Sequence, residues 1–210
     1  DARVVLRSPP PGLARYGHLA IQPYPDELVE EVNARDGTRV TLRPIRPEDA
    51  DLEQEFVESL SSETMRFRFM SALRSLTPAM LARFTQIDYD REMALIALVE
   101  ASGKEREVGV CRYVTLPDGK TCEYAIALAD DWQGKGLGRT MMGRLIEVAR
   151  SRGLETMEGH VLSTNEPMLR LCAKLGFVST PEDDDPQMRR LALDLRPDDE
   201  RRVAALGGHR

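Results

Sequence analysis

Cysteine is scarce in this chain, with three residues in 210, at Cys111, Cys122 and Cys172. An odd number without Cys-x-x-Cys spacing excludes a disulfide framework and a zinc ribbon, and it points to a reducing, cytoplasmic setting. Histidine is equally thin. His18, His160 and His209 are scattered, so neither a His-Glu-x-x-His pattern nor a Cys/His cluster is available to hold a metal. Long apolar runs are also missing. Met93–Val99 falls far short of the roughly 20 residues that a membrane-spanning helix needs, and Asp1–Leu6 has no signal-peptide character. Positive charge is not in excess. Lys+Arg number 29 against 35 Asp+Glu, a net charge of -6, which argues against a nucleic-acid partner because phosphate contacts need a basic face. No Gly-x-Ser-x-Gly elbow exists for Ser-His-Asp hydrolysis, and no repeat or low-complexity tract appears. What is present, 41% apolar and 30% charged, fits one globular domain with a short appendage.

Residues 1–37 are proline-rich (Pro9, Pro10, Pro11, Pro23, Pro25) and lack an apolar period, so they read as an extended arm or linker. After the Asp36-Gly37 turn, Val40 and Leu42 alternate with polar residues as in a half-buried strand. Pro47-Glu48-Asp49 starts a helix whose apolar face is Leu52, Phe56 and Leu60. Thr77 and Pro78 start a second, with Leu81, Phe84 and Ile87 on one face. Three strands follow at Glu92–Ala101, Glu107–Thr115 and Lys120–Ala129, the last two joined by the turn Pro117-Asp118-Gly119. Leu137, Met141, Leu145 and Val148 then mark the clearest helix, which ends near Gly153. A strand at Thr156–Leu162, a helix at Glu166–Leu175 and a strand at Gln187–Leu195 complete a domain over 38–196, followed by a tail over 197–210. The order predicts a mixed α/β (α+β) layer around a central sheet. The acidic run Glu182–Asp185 reads as a solvated loop.

The chemistry is concentrated in Asp130-Asp-Trp-Gln-Gly-Lys-Gly-Leu-Gly-Arg-Thr-Met141, a segment lying between a strand and the best helix. A helix N-terminus carries unpaired N–H groups and the positive end of the macrodipole, which suit a phosphate or diphosphate. Gly134, Gly136 and Gly138 let that backbone approach without Cβ clashes, while Lys135 and Arg139 add positive charge. A Rossmann fingerprint fails, since Arg139 stands where Gly or Ala is needed. A Walker loop fails because Lys135 is followed by Gly136.

Gln133-x-x-Gly136-x-Gly138, after a strand and opening a helix, resembles the acetyl-CoA signature of the GNAT N-acetyltransferases, and Asn165 to Leu175-Gly-Phe177 resembles the family's later motif. A finer resemblance is to the GNAT domain of bacterial Pat-type protein lysine acetyltransferases, carried by the phrases beginning at His18 and Arg35, by Arg66-Phe-Arg-Phe69 and by Cys122-Glu-Tyr-Ala125. These enzymes are often fused to a domain like an acyl-CoA synthetase, in which case residues 1–37 are the connector. The resemblance implies a mostly antiparallel mixed sheet flanked by helices, splayed at the fourth strand near a bulge. It implies acetyl-CoA as co-substrate and Glu123 as the base that takes the amine's proton. The strand amides of Ile126, Ala127 and Leu128 are expected at the thioester and pantetheine. Gln133, Gly134, Lys135, Gly136, Leu137, Gly138, Arg139 and Thr140 are expected at the diphosphate, and Asn165 at the pantetheine. Where many members place a thiolate-protonating Tyr, this chain has Cys172. The expected reaction is direct acetyl transfer to a protein lysine, with an acyl-CoA synthetase as candidate acceptor. A small amine or amino acid is the alternative acceptor, and a non-catalytic acyl-CoA sensor the alternative class.

Overall fold

A computed structural model describes residues 23–70 and 75–197. Residues 1–22, which hold most of the phrase beginning at His18, and 198–210 of the expected tail lie outside the described residues. The strands are β1 (Glu30–Asn33), β2 (Arg39–Pro44), β3 (Glu92–Ala101), β4 (Lys104–Thr115), β5 (Thr121–Leu128), β6 (Thr156–Leu162), β7 (Val178–Pro181) and β8 (Met188–Asp194). The helices are α1 (Ala50–Ser59), α2 (Ser62–Phe69), α3 (Pro78–Thr85), α4 (Leu137–Ser151) and α5 (Glu166–Lys174). The strands form one sheet in the order β1-β2-β3-β4-β5-β6-β8-β7, in which only β5 and β6 run parallel.

The sheet's centre explains the one continuous apolar run of the sequence. Every residue from Met93 to Leu98 of β3 is buried, although successive side chains point to opposite faces, so both faces of the sheet are covered. The spacing of α4 gives it one apolar stripe, and Leu137, Met141, Leu145 and Val148 are buried along it with Met142, Ile146 and Ala149 beside them. Each such side chain contributes roughly 1.5–3 kcal/mol by leaving water. That burial fixes where the helix starts, and therefore where its glycine-rich entry lies relative to the sheet.

Three elements depart from the expected order. Within the stretch read as a linker, β1 pairs antiparallel with β2 from Glu30↔Leu42 to Asn33↔Arg39. The short α2 follows α1, with Ser61 as its N-cap accepting the amide of Thr64. The edge strand β7 is exposed at every position. None had a legible period: β1 is an edge strand with Val32 as its one apolar residue, α2 buries only Met65, and β7 buries nothing. The bulge expected on the coenzyme strand lies elsewhere. It is at Val108 of β4, between the pairs Ala97↔Gly109 and Leu98↔Glu107, while β4 and β5 stay in register from Gly109↔Leu128 to Thr115↔Cys122.

The core also holds charge. Arg43 of β2 grips Asp49 with two hydrogen bonds of 2.7 Å, and Asp49 also accepts the amide of Arg46, which fixes the turn into α1. Deeper in, Glu53 of α1 and Glu107 of β4 are both 2% exposed. Neither carboxyl oxygen of Glu107 has a hydrogen-bonded partner, and the nearby Arg112 donates to the carbonyl of Phe84. Burial first, and the Glu53 carboxyl second, hold Glu107 well above the ordinary carboxylate range. Two bare carboxylates so placed repel one another, which favours the protonated form of Glu107.

A carboxyl that keeps its proton in the folded state and releases it when unfolded favours folding below its unfolded pKa and loses that contribution as pH rises through the folded value. The unfolded reference here is 4.5. Thermal unfolding followed by circular dichroism is therefore expected to show stability falling as pH rises above about 4.5, and Glu107→Gln to flatten that slope. At the alkaline end of the series the variant should melt at a higher temperature than the wild type. An unchanged slope would mean that Glu107 is not the proton carrier.

Candidate active site

The site begins where β5 and β6 stop pairing. Their parallel register covers only Thr121↔Thr156, Cys122↔Met157 and Glu123↔Glu158. Beyond that point each strand is held on its outer edge alone, β5 by β4 as far as Leu128 and β6 by β8 as far as Leu162. The ring of Tyr124 stands in the gap. It lies so close to Gly159 that a Cβ there would fall 2.6 Å from the ring, so β6 has a glycine where the two strands part. This is the splay expected at the fourth strand. It opens a cavity of about 550 Å³.

Most of the expected residues meet there. Glu123 is at the point of divergence, exposed to the cavity, and its carboxylate has no hydrogen bond or ion pair among the described residues. Ile126, Ala127 and Leu128 line the wall, and because β5 has no partner on that edge, alternate main-chain N–H groups face the opening. Gln133, Gly134, Gly136, Gly138 and Arg139 line the far end. Both Gly134 (φ 76°) and Gly136 (φ 87°) are left-handed, and no amide from Gly134 to Gly138 donates to a protein acceptor among the described residues. That string of free N–H groups at the start of α4 is an anion cradle. Asn165 lines the cavity from α5, its Oδ1 accepting the amide of Met168 as a helix cap, which leaves its amide nitrogen for a ligand.

Three expected residues lie off the cavity. The Lys135 ammonium turns away from the cradle, 3.1 Å from Asp36 and 4.5 Å above the Trp132 ring. Leu137 is in the core, where only its main chain can serve a ligand. Thr140 is exposed, with its amide returned to the carbonyl of Gly136 at 3.3 Å.

In place of Lys135 stands a residue absent from the sequence-based set. Arg35, in the β1–β2 turn, donates its amide to the carbonyl of Lys135 at 3.0 Å and lays its side chain over Gly136, 3.2 Å from where a Cβ would be. The turn motif Arg35-Asp36-Gly37 was visible, but nothing in it said that β1 would carry the turn onto the loop. The missed helix α2 is tied to the same loop. Asp130 accepts from the amide and hydroxyl of Ser61 and from the hydroxyl of Thr64, and Gln133 donates to Thr64. Glu63, Thr64, Phe67, Arg68 and Met70 thereby become a further wall. Among the described residues no group of three His, Cys, Asp or Glu gathers as a metal site, and no helix is long and apolar enough to cross a membrane.

A family model for the acetyltransferase (GNAT) domain matches residues 39–178. The chain belongs to the GNAT acetyltransferases. An acetyltransferase of Pseudomonas aeruginosa is 41% identical over 170 residues, covering 80% of this chain and 90% of its own. The acetyltransferase Pat of Mycolicibacterium smegmatis is 32% identical over 153 residues, covering 72% of this chain, which spans 45% of Pat. The L-amino acid N-acyltransferase MnaT of Escherichia coli is 42% identical over 62 residues, 30% of this chain and 36% of MnaT. Among solved structures, the GNAT domain of S. lividans PAT superposes with a TM-score of 0.74 at 26% identity, covering 82% of this chain and 99% of that domain. This is an N-acetyltransferase, and acetyl-CoA is its co-substrate. The free amides at Gly134–Gly138 and the unpaired edge of β5 fit the diphosphate and the pantetheine arm respectively.

In this GNAT domain the usual tyrosine position holds Cys172, fully buried, and the hydroxyl that reaches it comes from Tyr124, 3.2 Å from the sulfur. Burial raises the Cys172 thiol to about 11 and pushes the Tyr124 phenol up as well, so both keep their protons at neutral pH. Cys172 is therefore a packed side chain and not a thiolate nucleophile.

Gly136→Val places a branched side chain at positive φ and against Arg35, and it should weaken acetyl-CoA binding by more than tenfold in calorimetry while leaving the fold intact by circular dichroism. Arg35→Ala should cost about three- to tenfold in the same titration, as removal of an exposed charged donor to phosphate does. Unaltered affinity in both would place the diphosphate elsewhere.

Proposed function

We propose that this GNAT domain acetylates the side-chain amine of lysine in a protein by direct transfer, with Glu123 as the general base, and that an acyl-CoA synthetase is the candidate acceptor. The observation that carries the reading is Glu123 itself: a carboxylate with no hydrogen bond or ion pair among the described residues, fixed on a strand at the apex of the cavity, beside main-chain donors. The lysine acceptor is supported by the Pat-like relatives, whose likeness runs over most of this chain, against the short stretch shared with MnaT.

A free lysine amine, with pKa about 10.4, is almost wholly protonated at pH 7 and cannot attack. Glu123 takes that proton, directly or through one water, and frees the nitrogen lone pair. The co-substrate supplies an activated acetyl thioester. Nitrogen bonds to the carbonyl carbon as the carbon–sulfur bond breaks, and the electron pair leaves with sulfur. N–H groups on the free edge of β5 meet the negative charge that gathers on the carbonyl oxygen. The second proton of the nitrogen passes to the departing sulfur, giving a neutral amide and a free thiol, with the Tyr124 hydroxyl on this wall, 3.2 Å from the Cys172 sulfur, as a side-chain relay.

Glu123→Gln keeps the shape of the site and removes the base, so kcat should fall by about 10²–10⁴ while acetyl-CoA affinity stays within about twofold. Thiol release and mass spectrometry of newly acetylated lysines in a lysate treated with labelled acetyl-CoA provide the readouts. Full activity in the variant would remove Glu123 from this role. Acetyl-CoA binding without any acetylated protein or amine would favour the sensor reading.

A further inference from the structure

The lower wall of the cavity, in the last turns of α2, carries a cation that meets no hydrogen-bond acceptor among the described residues. Arg68 lines the same cavity as Glu123, and none of its N–H donors meets an acceptor among the described residues, whether a carboxylate, a carbonyl or a hydroxyl. Three other cations around the cavity are differently placed. Arg170 is spent on Glu166 at 2.8 Å, and Arg35 and Arg139 belong to the glycine-loop end. Arg68 is instead braced by aromatic rings, with its guanidinium carbon 4.9 Å from the centroid of Phe69 and 6.0 Å from that of Phe84. Behind it are Arg112 and the buried Glu53–Glu107 pair, whose carboxyls burial holds above the ordinary carboxylate range. Burial, with repulsion from Arg112, pulls the Arg68 pKa down to about 10, against attraction from Glu53 and Glu123, and the group is still charged at neutral pH. A half-buried guanidinium with unused donors is costly unless an anion completes it.

We propose that Arg68 is the anchor for a carboxylate carried by the acceptor, so that the amine is presented to Glu123 by a molecule with an acidic group close to it. Ammonium toward Glu123 and carboxylate toward Arg68 is the pairing that these two side chains define across one cavity. Two sources carry this chemistry: the α-carboxylate of a free amino acid, and an acidic side chain next to the target lysine in a protein. The inference rests on the direct-transfer reading above and sharpens its acceptor.

The test compares matched acceptors by thiol release, with products identified by mass spectrometry. One arm uses free L-amino acids against their carboxamides. The other uses peptides with a lysine flanked by Glu against the same peptides flanked by Gln. The expected result is a preference of about tenfold or more in kcat/KM for the carboxylate member in one arm, and that arm names the source. Arg68→Met should erase this preference by raising KM for the carboxylate acceptor about ten- to a hundredfold, the loss of a charge-assisted hydrogen bond, with acetyl-CoA affinity unchanged. Arg68→Lys, which keeps the charge but not the fork, should restore part of it. Equal use of carboxylate and amide acceptors by the wild type, or a preference that survives in Arg68→Met, would overturn the anchor while direct transfer stands. Failure to acetylate any amine would overturn both.

Discussion

The whole site depends on one constraint in the sheet: β5 and β6 pair over three residues and then separate. A parallel pair that stayed together would satisfy its amides with each other and leave nothing for a ligand. Here the outer neighbours β4 and β8 hold the two strands apart, and the Tyr124 ring seated against Gly159 occupies the start of the gap. Every other feature uses the resulting opening. Glu123 is at its apex, the free edge of β5 is one wall, and the N-terminus of α4 closes one end with its own unpaired amides and the positive end of its dipole.

Two peripheral pieces complete this opening, and both dock on the glycine-rich loop. From one side comes the β1–β2 turn, through Arg35 and the Asp36–Lys135 ion pair. From the other comes α2, through Ser61 and Thr64 on Asp130 and Gln133. The loop is thus a junction as well as a ligand cradle. Lys135, which by charge alone belonged to the cradle, serves the junction, and Arg35 supplies the cation at Gly136.

The sequence was most legible where burial imposes a period. β3, α4 and the β4–β5 hairpin follow from apolar spacing and turn residues, and the glycines at 134, 136 and 138 sit where a helix start needs them. Family likeness added Glu123, the β5 wall and Asn165, which periodicity could not single out. What escaped was whatever lacks a buried face. β1 and β7 are edge strands with polar or exposed positions, and the Arg66-Phe-Arg-Phe69 stretch of α2 alternates with a period of two although it is helical. The cavity residues outside the sequence-based set, Arg35 and Arg68, belong to these same unpatterned elements. Their roles come from what the fold carries them to, and no local signal in the chain encodes that.

The docked turn also bears on how this domain can be cut out of a longer polypeptide. A boundary drawn at residue 39, where the matching family model begins, discards β1 together with Arg35. The severed piece would expose the hydrogen-bonding edge of β2 as an adhesive rim, inviting self-association, and would hold nucleotide with a grip missing one finger. The structural unit therefore starts ahead of the family model's first residue, at the hairpin that seals the sheet.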